Sequence, residues 1–570
     1  MNFLDSGLEI AGMTGGFRPG DGRSDGEARA ITSETQSNLM EDFKIIVFLC
    51  NWGPHAAYNS LQDDGYRIPA TEVRMVRIPC TGRISKALLF KAFELGADGV
   101  ALVGCAPGTC RYGSGTRSAV NHANDTGNIL ELLGLGKDRL RLATFLPDDT
   151  EGLRTFLEDF TEAVRRLGKT PVAPDKIGEG LREREEIASI VARYDAFGCQ
   201  DCGKCTSSCP LALSGKEYSP RSIVNAIVRG ETASERVAKD VNACLTCGVC
   251  YERCPSDVNF PEFVRDVRCN WPGDSARGGE GKHLAHGGFF QSLMRSMTSE
   301  KVAPERWRDL PEEIETDPRS DVLFFGGCAP YFDTFFRSHL NVDTSRILED
   351  ALRLLNFFDV RPRLMEAERC CGHDLLWSGD RENFLRLAKL NVEAMGDAGV
   401  KTVITSCPEC YRTLKFDYKA CGIEPPFEVK HLYELLEDEI DKGAVAFKSL
   451  GKRITYQDSC RLNRLEETRD LPRKLMGRLS SEGFSEMKDS GPGALCCGNC
   501  AWIGCDAYSK ALQVKRLRQA RDTGSDLMVT SCPKCQIHLR CAMEDPFRGE
   551  ELRMDMADLA SVVAQTIRWE

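Results

Sequence analysis

Ten cysteines in the second half of the chain are written as the same sequence twice. Cys328, the adjacent pair Cys370-Cys371 with Gly372, and Cys407-Pro408-Glu409-Cys410 form the first set; Cys460, Cys496-Cys497-Gly498 and Cys532-Pro533-Lys534-Cys535 form the second. The intervals are 41 and 35 residues in the first and 35 and 34 in the second. The closing stretches VITSCPECYRTLK and MVTSCPKCQIHLR align, so an internal duplication accounts for both sets. A tetrahedral zinc site closes with four ligands and a disulfide with two. Five thiols at matched spacing in each copy therefore point to an iron–sulfur centre of unusual ligation.

Two further thiol sets precede these. Cys199, Cys202, Cys205 and Cys209-Pro210 are followed by Cys244, Cys247, Cys250 and Cys254-Pro255, with intervals of two, two and three residues each time. In this run the fourth cysteine ligates the other cluster, so Cys199, Cys202, Cys205 and Cys254 are expected to hold one 4Fe-4S cubane, and Cys244, Cys247, Cys250 and Cys209 a second. Nearer the N-terminus, Cys50, Cys80 and Cys105 each follow or close an apolar run, and Cys110 stands in the loop GCAPGTCRYG just after the last. One strand-end cysteine is commonly a small buried hydrophobe; four together read better as ligands.

The elements that must place these thiols follow from periodicity. KIIVFL, EVRMVRIP and GVALVG read as buried strands separated by helices such as SKALLFKAFELG, with Ser85 as N-cap and Gly96 as stop. Alternation of this kind gives a parallel sheet, whose carboxyl edge gathers Cys50, Cys80 and Cys105, with Cys110 in the adjoining loop. DVLFFGGC, VITSC, RITYQDSC and LMVTSC repeat the device for Cys328, Cys407, Cys460 and Cys532. SPRSIVNAIVRGE, between the two ferredoxin runs, reads as a helix starting at Ser219-Pro220. His373 follows CysCysGly and is a candidate proton donor or a structural hydrogen bonder. His283 and His286, in a Gly- and Arg-rich stretch, read as solvated. Cys269, Cys421, Cys500, Cys505 and Cys541 fall outside every motif.

The CysCysGly repeats resemble the cysteine-rich (CCG) domains of the B subunit of heterodisulfide reductase. That resemblance implies two noncubane 4Fe-4S clusters, one on each set of five thiols, facing one another across a disulfide whose S–S bond takes two electrons and two protons to give two thiols. The ferredoxin run resembles the C subunit of the same enzyme. CNW, CTGRI, KAFELGADGV and GCAPGTCRYGSG resemble the delta subunit of methyl-viologen-reducing hydrogenase, implying a 2Fe-2S cluster on Cys50, Cys80, Cys105 and Cys110. Many relatives read Cys-Cys-Asn-Trp-Cys where this chain has Leu49, Cys50, Asn51, Trp52 and Gly53, so two of their cysteines are absent.

The resemblances together imply an oxidoreductase subunit that passes electrons from a hydrogenase or a formate or NAD(P)H dehydrogenase to a disulfide, or runs the reverse. No flavin fingerprint is present, so a flavin is expected on a partner similar to the flavin-containing A subunit of heterodisulfide reductase. The alternative is an electron carrier for a flavoprotein dehydrogenase of the glycolate, lactate or glycerol-3-phosphate type. Such carriers often lack some of the ten repeated cysteines, and all ten stand here.

A length of 570 residues calls for several domains. The expected fold is multidomain α/β and α: a flexible tail (1–42), a flavodoxin-like parallel-sheet α/β domain (43–170), a helical bacterial-ferredoxin-type two-cluster domain (185–270), a linker (271–320) that packs on its neighbours, and duplicated α/β CCG domains (321–445 and 451–570). A net charge of −11 argues against nucleic-acid or anionic-membrane partners, which need a basic face. The 27 cysteines, without a secretory leader or a spanning apolar run, suit a reducing cytoplasm.

Overall fold

A computed structural model describes residues 43–570 except 69–71, 173–184, 233, 272–283, 341, 444, 465–467, 480–481, 548–549 and 570. The expected tail (1–42) and His283 lie outside the described residues. Among the described residues the chain is mixed α/β, with three sheets whose strands run parallel.

The first sheet comprises β1 (Ile45–Cys50), β2 (Val73–Ile78), β3 (Gly99–Cys105) and β4 (Leu140–Phe145), in the order β2-β1-β3-β4. The central β3 is buried at every position, as its unbroken apolar run requires in a sheet covered on both faces. Ser85 caps the helix Lys86–Glu94 by accepting from Leu88 N.

The two CysCysGly copies repeat that topology. β5 (Val322–Phe324), β6 (Thr402–Thr405) and β7 (Glu428–His431) form the first copy, and a parallel bridge from Leu323 to Arg363 marks the place of a further edge. β8 (Ile454–Gln457), β9 (Phe484–Ser485), β10 (Leu527–Thr530) and β11 (Asp555–Asp558) form the second, in the order β11-β10-β8-β9. Bridge included, all three sheets share one winding, with the first strand of each unit flanked by the second and third. Cysteines accordingly follow corresponding strands in all three units.

The two ferredoxin-type runs lie among short helices, of which Pro220–Val228, capped by Ser219, and Phe260–Asn270 are two. Their apolar core is continuous with one face of the second copy through Leu512, Leu517 and Met528. The opposite face of that copy, with Tyr456 and Val529, joins a larger core that runs through the first copy to the helices of the first sheet.

The described residues 284–320 pack more deeply than a linker would. Its helix Phe289–Ser296 contributes Phe289, Phe290, Leu293 and Met294 to the large core, and Phe290 stacks on Trp502 with ring centroids 4.3 Å apart. His286 is not solvated: its ring meets Phe290, Phe335, Phe336 and Trp502 edge-on at 5.1–6.0 Å.

Candidate metal centres and the face between the repeats

The structure draws the predicted thiols into four neighbourhoods. On the first sheet, Cys50 and Cys105 lie with sulfurs 3.5 Å apart, and Cys80 and Cys110 are hydrogen-bonded to each other. Burial pushes the Cys50 thiol up to about 11. Cys110 goes the other way: its slight burial is outweighed by amide N–H groups of Tyr112, Gly115 and Thr116, which pull the thiol below its ordinary value. The Gly115 and Thr116 amides begin the helix Gly115–Leu132, and a helix N-terminus favours a thiolate. Gly115 makes the approach possible. A Cβ there would meet the Cys110 sulfur at 2.8 Å and the Cys80 sulfur closer still. A cradle that admits no methyl group beside converging sulfurs fits a compact inorganic cluster.

In the ferredoxin-type region the fourth cysteine of one run joins the other, as the motif requires. Cys209, Cys244, Cys247 and Cys250 line one cavity together with Tyr218 and Phe260. Cys205 interacts electrostatically with Cys199, while Cys202 is exposed and Cys254 half-buried. Burial pushes Cys250 well above its ordinary value, and a thiol held so in an apolar shell suits a metal that takes its proton.

Each CysCysGly set closes on itself. In the first, Cys328 Sγ stands 3.2 Å from Cys370 Sγ, Cys371 contacts both Cys370 and Cys410, and Cys410 contacts Cys407. In the second, Cys460 contacts Cys496, Cys497 contacts Cys496 and Cys535, and Cys535 contacts Cys532. The motif glycines are left-handed, with φ of 86° at Gly372 and 103° at Gly498, and a Cβ would strike Phe384 in one copy and the Ser509 carbonyl in the other. The turn before Cys328 is held from inside its own copy and braced from outside it. Glu368 accepts from the amides of Gly326 and Gly327 and pairs with Arg306 at 2.6 Å, both side chains being 1% exposed. Burial pushes the Glu368 carboxyl up to about 7.

The two sets meet. Cys407 and Cys532 interact electrostatically, and a cavity lined by all five thiols of the first copy is closed on one side by Pro533 and Lys534 of the second. Lys534, 5% exposed, reaches Glu409 Oε2 at 2.5 Å and also contacts Asp374. Glu409 and Lys534 occupy the same position in their Cys-Pro-x-Cys turns, so counterpart residues of the duplication pair with opposite charge. His373 is buried, and burial holds it well below its ordinary value. It contacts Asp374 through Nδ1 at 2.9 Å and accepts from Arg461 Nε at 3.0 Å through Nε2. Neutral and engaged at both nitrogens, it braces the junction.

One residue outside every motif belongs to this site. Cys500 is 1% exposed and contacts Cys460, giving the second copy a sixth thiol. Its alignment with Asp374, each the third residue after the CysCys pair, was the available signal. Cys269, Cys421, Cys505 and Cys541 are not among the contacts of either set described above.

Comparison with known proteins follows the same divisions. Residues 45–168 match the family described as methyl-viologen-reducing hydrogenase, delta subunit; 198–259 match a 4Fe-4S dicluster domain; 322–415 and 454–540 each match the cysteine-rich domain. The D subunit of the dihydromethanophenazine:CoB–CoM heterodisulfide reductase of Methanosarcina acetivorans is 29% identical over 409 residues, covering 66% of this chain and 96% of its own. The B subunit of the fumarate reductase (CoM/CoB) of Methanothermobacter marburgensis is 28% identical, covering 64% and 71%. The EtfAB:quinone oxidoreductase of Syntrophomonas wolfei is 30% identical over 226 residues, covering 38% and 30%. Among the described residues, no helix is long and apolar enough to cross a membrane.

Proposed function

We propose, for a chain that joins a hydrogenase delta-type domain, a 4Fe-4S dicluster domain and two cysteine-rich domains in the manner of a heterodisulfide reductase-like fusion, that it carries electrons to a disulfide bound between the two repeats. The observation that carries this reading is the pairing of Glu409 with Lys534. Counterparts can touch only if the two copies meet through equivalent faces, and those faces hold the Cys-Pro-x-Cys turns.

The residues fit a 2Fe-2S group on Cys50, Cys80, Cys105 and Cys110, two 4Fe-4S cubanes on the ferredoxin-type cysteines, and two noncubane 4Fe-4S groups on the repeats. These groups would supply one-electron steps, and two of them facing one disulfide match its two-electron demand. The chain's own part is to hold and orient. Arg306 and Glu368 fix the turn before Cys328, Lys534 locks the two repeats in register, and His373 and Arg461 brace the wall between them. Seven of the ten repeated thiols are buried, and Cys328, Cys407 and Cys460 are half-buried. A flavin is placed on a partner similar to the flavin-containing A subunit of heterodisulfide reductase, and the donor is a hydrogenase or a formate or NAD(P)H dehydrogenase. The compartment that suits these thiols is the cytoplasm.

A second reading, an electron carrier for a flavoprotein with no disulfide of its own, draws on the similarity to the EtfAB:quinone oxidoreductase. A panel of thiols added to oxidised, anaerobically prepared protein separates the two. A disulfide-handling face gives a new paramagnetic signal with one thiol half of its substrate, and Cys371→Ala or Cys497→Ala abolishes signal and reductase activity together while the cubane signals persist. Silence across the whole panel, with retained transfer to a flavoprotein, would establish the carrier instead.

A further inference from the structure

Cys500 sits where the two repeats face each other, near His373 and Glu409 of the first and among side-chain donors. Arg461 Nη2 donates to its Sγ at 3.0 Å, and Thr246 Oγ1, from the dicluster region, approaches at 3.5 Å. The same guanidinium donates to the Thr246 carbonyl at 2.9 Å and to His373 at 3.0 Å, and is itself buried over the Trp377 ring. Thr246, Ala501 and Trp502 all adopt positive φ without being glycine, between 49° and 53°. Such backbone persists only where neighbours enforce it. The Ala501 carbonyl is held by Gln291 and the Trp502 carbonyl by the Ala285 amide.

Donor atoms of Cys500, His373 and Glu409 lie within 4.8 Å of one another, which on spacing alone suits a divalent cation. Arg461 argues otherwise. It is permanently charged, it already occupies the His373 Nε2 lone pair, and it touches the Cys500 sulfur, so a cation there would stand against a guanidinium. What the geometry gives Cys500 instead is contact with Cys460 of the second thiol set.

We propose that Cys500 is a sixth sulfur ligand of the second cysteine-rich site, held by Arg461 and Thr246 on the side that faces the first repeat. The first repeat has Asp374 at the equivalent position, paired with Lys534 and His373 rather than with a thiol. The two sites are therefore unequal. The first opens on a cavity, and the second is met on its facing side by a sulfur of its own chain. The inference rests on the proposed iron–sulfur occupancy of the second site.

The test uses the full chain, purified anaerobically and oxidised with no thiol added. Cys500→Ser is expected to keep its iron, because five repeated thiols remain, and to lose or shift the paramagnetic spectrum of the second site; Cys505→Ser leaves the spectrum as in the wild type. Thr246→Ala, which keeps all six thiols and removes the hydroxyl together with its neighbouring methyl, is expected to shift the same features at unchanged iron content. If Cys500→Ser folds and matches the wild-type spectrum and midpoint potential, the proposal is overturned. If Cys500→Ser loses iron from every site, Thr246→Ala decides, and an unshifted spectrum overturns the proposal. Failure of the disulfide reading is a separate result, because it is read only with thiol added.

Discussion

Glu409 and Lys534 are the same residue of a duplicated turn, changed in sign and joined in the folded chain at 2.5 Å. Duplication alone would have given two like charges or none at this contact. A symmetric dimer of identical copies would bring like residues together here, so the opposite charges belong to a chain whose two copies have diverged.

Lys534→Met is expected to leave Asp374 and Glu409 buried without their cation. Removing one partner of a buried pair costs roughly 3–5 kcal/mol. Anaerobic urea unfolding should show this loss, with most of it recovered when Asp374→Asn and Glu409→Gln are added. A single-variant loss under about 1 kcal/mol, the range of exposed pairs, would mean that the contact does not lock the repeats.

Gly115→Ala should empty only the N-terminal site. Its methyl group would overlap the sulfurs of Cys80 and Cys110. Of about 18 irons expected for fully occupied sites, about two should go, with the other cluster signals retained. Unchanged iron content would show that these four thiols do not hold a common group.

Cys80→Ser should block electron input from the physiological donor and leave disulfide reduction by a small artificial donor largely intact. Equal loss in both assays would remove the N-terminal domain as a separate port.

The protein should become less stable on mild acidification through His286. Burial among aromatic rings lowers its folded-state value to about 4 from an ordinary 6.5. Below about pH 6.5 the unfolded chain takes a proton that the folded chain refuses, so stability falls until about pH 4 and levels there, by up to roughly 3 kcal/mol. His286→Asn keeps a residue tolerant of the left-handed backbone. The wild-type advantage in Tm over this variant should shrink between pH 7 and 4.5; a constant gap would show that His286 takes no part.

The thiol sets were legible because their chemistry is local: a strand ends, a cysteine follows, and spacing does the rest. β4, β7 and β11 were not singled out, since LRLATF, EVKH and DMAD carry mixed polarity and gain strand character only from parallel neighbours. The depth of the 284–320 stretch was hidden by its flanks. FFQSLMRSM was visible as a helical patch, but the aromatic floor that receives it comes from Phe335, Phe336 and Trp502. For Cys500 the alignment with Asp374 was the one local signal; its contacts are Cys460, Arg461 and Thr246, the last of them 254 residues away.

Arg268 gives the assembly its last property. Fully buried in the helix Phe260–Asn270, it donates to the carbonyls of Val241 and Cys244 within the dicluster region and of Trp377 in the first repeat, at 2.6–3.0 Å. Main-chain carbonyls do not swing away as side chains do, and burial keeps these from the solvent that could replace their donor. The gap an electron tunnels across between these regions is therefore set by a buried peg rather than by a hinge. Turnover should be paced by partners arriving and products leaving, with no domain swing in between.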